Sequence, residues 1–232
     1  MIAVSGLVKR FGYKTVLRDL DFNAAPGEWI ALLGHNGSGK TTFLRILAGL
    51  SRPSAGSVSV AGCALPGQNA ALRGKLGLVS HQLMLYPALT AEENLRFFGR
   101  LHHLPDLNQR IEAELRRADL WSRRRDPARI FSRGMQQRLS IARALLPSPS
   151  LLLLDEPYTG LDPDSARTLD ATLRQVVADG CTVIFTSHDW LRSVELASRV
   201  DVLAGGRMAI SLPVEGLPLP ELLQTLQEAA AQ

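Results

Sequence analysis

Two short stretches of this sequence hold residue types whose spacing suits work on a phosphate ester. The first is Gly34-His35-Asn36-Gly37-Ser38-Gly39-Lys40-Thr41, a G-x-x-x-x-G-K-[ST] string. Its three glycines let the backbone curl so that successive N–H groups point inward at phosphate oxygens, and a helix beginning near Lys40 adds the positive end of its dipole. Lys40 then reaches the β- and γ-phosphates, and the Thr41 hydroxyl is placed to coordinate Mg²⁺. The second stretch is Leu151-Leu152-Leu153-Leu154-Asp155-Glu156, an apolar run that ends on two carboxylates. Asp155 suits Mg²⁺, held through water, and Glu156 suits a general base that polarises the attacking water. Two helix-capping acids ahead of Pro157 are the plainer alternative, and the phosphate loop weighs against it.

Elements that would position these residues follow from hydrophobic periodicity. The first thirty residues alternate as strands about a turn near Gly12 to Lys14, and Trp29 to Leu33 reads as an apolar strand running into the glycine loop. A helix follows from Lys40 to Ala48, ended by Gly49, then turn residues and strands at Val58 to Ala61 and Leu76 to Ser80. From Ala91 to Leu120 the pattern is helical and broken at Pro105, which marks a second lobe. A helix from Ser132 to Leu146 stops at Pro147, and Leu151 to Leu154 is apolar enough for a strand buried on both faces. A helix Pro163 to Ala178, a strand Thr182 to Phe185, a helix after Asp189 and a strand Val200 to Leu203 continue the alternation. The reading is an α/β fold with a mainly parallel, covered sheet, its chemistry at the carboxyl ends of the strands. Residues 1–212 form the domain, with a helical insertion over about 83–146, and 213–232 form a short tail with a helical stretch from Glu221 to Ala231.

In this order the segments resemble the ATP-binding subunits of ABC transporters, from about Ile2 to Ala209. The resemblance implies a P-loop NTPase of the ABC ATPase type: a mainly parallel sheet core, an antiparallel β subdomain and a helical subdomain, with ATP and Mg²⁺ bound. His35, Asn36, Ser38 and Thr42 then join the glycines, Lys40 and Thr41 around the nucleotide. Phe11 falls where the family stacks a ring on adenine, an ordinary strand aromatic being the alternative. Phe131-Ser132-Arg133-Gly134-Met135-Gln136 falls on the signature, LSGGQ, so that Ser132 and Gly134 would bind the γ-phosphate of the ATP held by the opposite subunit. Two positions after Ser132 depart: Arg133 stands for a glycine, adding charge near that interface, and Met135 for the glutamine. Gly160-Leu161-Asp162 matches the loop that links two subunits, and Asp162 also suits the cap of the helix at Pro163. His188 takes the place of the switch histidine at the γ-phosphate, where a neutral imidazole both donates and accepts. Near Ser80 the alignment puts His81, not Gln82, where relatives carry a Mg²⁺-contacting glutamine; a one-residue shift would deliver Gln82, and both stay candidates.

Within the family, His81-Gln82, the run Tyr86 to Phe98 and Phe131 to Met135 look like the haem-exporter branch, the ATPase of cytochrome c maturation. That likeness implies haem as cargo; export of a drug, lipid or polysaccharide is the alternative. No residue shows haem ligation, since His102-His103 is an exposed-looking pair and CxxCH does not occur. The implied partners are a second copy or a second ATPase subunit, and separate transmembrane permease subunits. Nucleic acid is not expected, because no coiled-coil insertion or second ATPase unit occurs, and Lys40, Asp155, Glu156 and His188 together disfavour a non-hydrolysing module.

Composition sets the outer bounds. The 232 residues are 46% hydrophobic and 21% charged, enough for one sizeable core. The net charge of +4 concentrates at Arg116, Arg117, Arg123, Arg124, Arg125, Arg129 and Arg133, read as a solvated helical surface or as one facing lipid headgroups or a membrane partner. No apolar run approaches the roughly 18 to 20 residues of a membrane span, and the opening residues lack a secretory pattern. The expected place is the cytoplasm, peripheral to the membrane. Cys63 and Cys181 lie far apart outside any CxxC, which argues for core or near-surface thiols and against a disulfide or zinc site.

Overall fold

The computed structural model describes residues 1–80, 82–216 and 218–230. Alternating residues make Ile2–Phe11 (β1) and Lys14–Ala24 (β2) an antiparallel hairpin turned at Gly12-Tyr13. Trp29–Leu33 (β3) runs into the glycine loop and Lys40–Leu47 (α1) leaves it. Ala55–Val60 (β4) returns to the free edge of β1, and Cys63–Leu65 (β5) pairs with β4, so the first sheet has the order β2-β1-β4-β5. A short helix, Asn69–Leu72 (α2), leads to Leu76–Val79 (β6). Neither β5 nor α2 carries enough periodicity to be read from sequence, being three and four residues long.

Ala91–Leu101 (α3), Leu107–Arg117 (α4) and Arg133–Leu145 (α5) follow, then Leu151–Leu154 (β7), Pro163–Ala178 (α6), Thr182–Thr186 (β8), Trp190–Leu196 (α7), Arg199–Ala204 (β9), Arg207–Pro213 (β10) and Leu219–Ala230 (α8). The second sheet has the order β10-β9-β3-β8-β7-β6; every pair is parallel except β9 with β10. All four leucines of β7 are buried because the sheet is covered on both sides. Leu151 and Leu153 join Ile30, Leu32 and Ile184 beneath α1 and the first sheet, whereas Leu152 and Leu154 join Ala31, Leu33, Val183 and Phe185 beneath α6, α7 and α8.

A third core, with Leu95, Ile111, Leu115, Leu120 and Phe131, belongs to the helical lobe. Helix α5 ties this lobe to the sheet: Leu139 and Ala142 enter the lobe core, and Ile141, Ala144 and Leu145 enter the sheet core.

The helical stretch expected after Pro213 is present, and it docks on the sheet where a loose segment was expected. Helix α8 seats Leu222, Leu226, Ala229 and Ala230 in the core beneath the second sheet. Its prolines suggest a loose end, yet they lie at the helix start, where a missing N–H costs little. Strand β10 also escapes the sequence reading: it is a half-exposed edge strand turned back by Gly205-Gly206. Both cysteines are free and buried, and the Cys181 thiol is pushed up to about 12, mainly by burial.

Candidate active site

The loop from β3 to α1 can be closed only by glycine at its first position. Gly34 has φ +143°, and a Cβ there would lie 2.2 Å from the Leu203 carbonyl oxygen. Gly39 precedes α1 in a left-handed conformation and offers no side-chain cap, so no side-chain cap satisfies the helix's first N–H groups. His35, Asn36 and Gly37 are exposed on the loop. Ser38 is buried, and among the described residues its hydroxyl has no hydrogen-bond partner. A cradle with open donors and an orphaned hydroxyl fits a phosphate chain.

Lys40 is buried, and its Nζ donates to the Gly34 carbonyl at 2.6 Å and the His35 carbonyl at 3.2 Å. Burial lowers its pKa, and the nearby Glu156 and Asp155 charges oppose that shift. Thr41 and Thr42 follow on α1. The Thr41 hydroxyl donates to the Asp155 carboxylate at 2.9 and 3.2 Å, so these oxygens already share one point. Hard oxygen donors of this kind fit Mg²⁺. Gln82 lines, with Thr41, Asp155, Ser80 and Met84, a hollow of about 400 Å³. His81, the other candidate there, lies outside the described residues.

Asp155 and Glu156 are fixed by Thr186, a residue the sequence reading did not single out. Its hydroxyl donates to Asp155 Oδ1 at 2.8 Å and accepts from the Glu156 N–H at 2.9 Å. The signal lies in strand register: Leu154 pairs with Phe185, so the next residue of β8 falls beside the first residue past β7. Glu156 has φ +54°, an uncommon conformation for a side-chain-bearing residue. Its Oε1 lies 3.0 Å from His188 Nε2, with the carboxyl largely covered and the imidazole half exposed. Neither acid caps a helix, since α6 takes Asp162 as its cap. Lys40, Thr41, Asp155, Glu156 and His188 thus meet at the carboxyl edge of the sheet, where α/β folds place ligands.

Ser132, Gly134 and Asp162 form a second cluster, where α5 and α6 begin. The Ser132 hydroxyl caps α5 by accepting from the Met135 N–H at 3.3 Å. Asp162 accepts from Ser165 N at 2.8 Å and Ser165 Oγ at 2.7 Å, bonds that hold its carboxyl below the usual range. A Cβ on Gly134 would lie 2.3 Å from Ser165 Oγ and 2.8 Å from its Cβ, so this glycine lets the two helix starts touch. Phe11, at the end of β1, is 54% exposed with Lys9 Nζ 4.6 Å from its ring centroid, which leaves ring surface open for stacking.

The run from Tyr86 to Phe98 has a local explanation. Thr90 and Glu93 form a capping box at the start of α3. Asn94 is fully buried and clamps the preceding loop, accepting from the Tyr86 N–H and donating to the carbonyls of Tyr86, Leu89 and Thr90. Within that run, Thr90, Glu93 and Asn94 are thus the means of starting a helix. His102 ends α3 and His103 follows in a turn; burial lowers the His102 pKa.

Comparison with known proteins gives a consistent result. The family profile described as ABC transporter matches residues 17–159. The linearmycin resistance ATP-binding protein LnrL of Bacillus subtilis is 36% identical over 211 residues, covering 90% of this chain and 68% of the relative. The Nod factor export ATP-binding protein I of Ralstonia nicotianae is 38% identical, covering 89% and 65%, and the daunorubicin resistance ATP-binding protein DrrA3 of Streptomyces coeruleorubidus is 39% identical, covering 89% and 66%. The chain therefore spans about two thirds of the length of these curated relatives. Among solved structures, an ATP-binding subunit of an ABC transporter superposes with a TM-score of 0.87 at 28% identity, covering 98% of this chain and 99% of that one. A dimeric ATP-binding cassette in a post-hydrolysis state, bound to ADP and Pi, superposes with a TM-score of 0.83 at 27% identity, covering 94% and 100%.

Proposed function

The chain belongs to the ABC transporter family and carries its ATPase domain, and from that premise we propose that it powers an exporter whose cargo is a drug, lipid or polysaccharide. The observation that carries the chemistry is the meeting of Lys40, Thr41, Asp155, Glu156 and His188 at one sheet edge. Lys40 exchanges the loop carbonyls for the β- and γ-phosphates, while the loop N–H groups and Ser38 take the remaining phosphate oxygens. Thr41 and Asp155, with Gln82 beside them, would hold Mg²⁺, which supplies charge neutralisation on those oxygens. Glu156 accepts the proton of the attacking water, a role worth about 10² to 10⁴ in rate. His188, already at Glu156, orients that acid and senses the γ-phosphate. Phe11 stacks on the base.

Two such subunits pair head to tail. Ser132 and the N–H groups at the start of α5 then face the γ-phosphate held by the opposite subunit, with Asp162 in the loop between them. The dimeric cassette among the structural neighbours supports this arrangement. Hydrolysis removes the shared phosphate and opens the pair, and permease subunits in the membrane take up the motion. No helix among the described residues is long and apolar enough to cross a membrane, which accords with a peripheral place beneath such partners.

Haem as cargo gives way to the alternative. These curated relatives are named for linearmycin resistance, daunorubicin resistance and Nod factor export. The test of the ATPase is Mg²⁺-dependent hydrolysis by the purified chain beside Glu156→Gln, with size exclusion in ATP. The expectation is at least about a 100-fold loss of turnover and an ATP-dependent dimer; undiminished turnover in the variant would sink the assignment. For the cargo, cells co-expressing the chain with its permease should export a lipophilic antibiotic in preference to haem, and the reverse preference would restore the haem reading.

A further inference from the structure

Arg133 occupies the first turn of α5, where a cation is unfavourable against the helix dipole. Its guanidinium is nevertheless engaged: Nε donates to the Thr159 carbonyl at 3.0 Å. Gly160, the next residue, has φ +75°, and a Cβ there would lie 2.6 Å from Arg133 Nε and 2.9 Å from its Cδ. The space that a side chain would fill at 160 is the space the guanidinium uses. The loop that Arg133 grips is wound tightly from the proposed general base: Thr159 N–H donates to the Glu156 carbonyl at 3.2 Å, and Leu161 N–H to the Tyr158 carbonyl at 3.1 Å. Tyr158 anchors it below, its ring edge-on to Phe185 and covered by Arg192. Arg133, Thr159 and Glu156 also line one hollow of about 130 Å³, with Gln136 and Gln137 on the same helix.

We propose that Arg133 is a positioning residue, a clip through Thr159 that joins the start of α5 to the loop carrying Glu156, so that ATP bound at that helix start in a dimer sets the placement of Glu156 in the same chain's own site. The consequence rests on the dimer described above, whereas the clip itself does not. This role differs from that of an exposed charge beside the interface, because the donor atom and the glycine that admits it are both specific.

The experiment separates the two. In the nucleotide-free chain, hydrogen exchange across residues 157–162 should rise at least about threefold in Arg133→Met, which keeps the stem and removes the donor. Unchanged exchange would overturn the clip whether or not the chain hydrolyses ATP. In turnover, Arg133→Met should lower kcat about tenfold with KM within about twofold, and the Hill coefficient for ATP should fall toward one. Gly160→Ala, which leaves the charge in place but pushes the guanidinium away, should give the same kcat loss, and adding it to Arg133→Met should cost little more. A loss confined to KM would make Arg133 a nucleotide contact, and full turnover in Gly160→Ala would make its charge the active feature; either result overturns the proposal.

Discussion

Replacing Thr186 by valine keeps its shape and removes one hydroxyl that makes two bonds. The side chain is fully buried, so water cannot substitute. Its donation to Asp155 Oδ1 at 2.8 Å ends on a carboxylate, a class of bond worth about 1.5 to 3 kcal/mol. Its acceptance from the Glu156 N–H at 2.9 Å leaves, once lost, a partly buried donor without that partner, at about 1 to 3 kcal/mol. The added methyl returns less than about 1 kcal/mol. Thr186→Val should therefore lose about 3 to 5 kcal/mol in urea unfolding, or roughly 10 °C in Tm at this chain length. Turnover should fall at least about tenfold with little change in KM, because both acids lose their anchor. Thr186→Ser, which keeps the hydroxyl, should recover most of both. A valine variant within about 0.5 kcal/mol of the parent, the range of substitutions away from buried networks, would refute the view that Thr186 holds the acid pair.

Glu114, on α4, is buried, and burial raises its pKa, with Asp179 adding to the shift and Arg117 and Arg110 opposing it. A carboxyl raised in the fold stabilises it below the unfolded value, about 4.3, and loses that contribution as pH rises through the folded value. Glu114→Gln should thus be more stable than the parent in urea at pH 7.5 and converge with it below about pH 4; a variant weaker at pH 7.5 would mean that Arg117, 3.8 Å away, outweighs burial. Leu226→Ala should cost about 2 to 5 kcal/mol, since Leu226 is fully buried in the sheet core; a change under about 0.5 kcal/mol would return α8 to the status of a tail.

The local structure that sits on contiguous residues was legible. Gly34 to Thr41 and Leu151 to Glu156 each state their purpose within eight residues, because a phosphate cradle and a strand end are local structures. Helix starts were legible for the same reason: Ser132, Asp162 and Asp189 each accept the backbone N–H three residues on. Thr186 was not, because its role exists only in the register between β7 and β8, which no single strand contains. The helical stretch after Pro213 was legible as α8, but its docking was not, because its four apolar positions find their core beneath the second sheet and not within the helix. The run at Tyr86 carries less about cargo than its likeness implies: Thr90, Glu93 and Asn94 serve a capping box and a loop clamp, which are local tasks, and the relatives reported carry other cargo names.

The signature turn follows from this distinction between backbone and side chain. The Ser132 hydroxyl caps the first turn of α5, and Gly134 is the contact point with Ser165, where a Cβ would collide. The side chains of Arg133 and Met135 lead elsewhere. Met135 packs against the lobe core, and Arg133 reaches Thr159. Ser132 and Gly134 keep the family's residues at the helix start itself, where a hydroxyl caps and a Cβ would not fit. The positions that leave it have side chains directed at the two bodies that α5 joins, the lobe and the Glu156 loop. The first turn of α5 therefore touches both bodies through Met135 and Arg133, and on the proposed clip a displacement of that helix start would reach the acid.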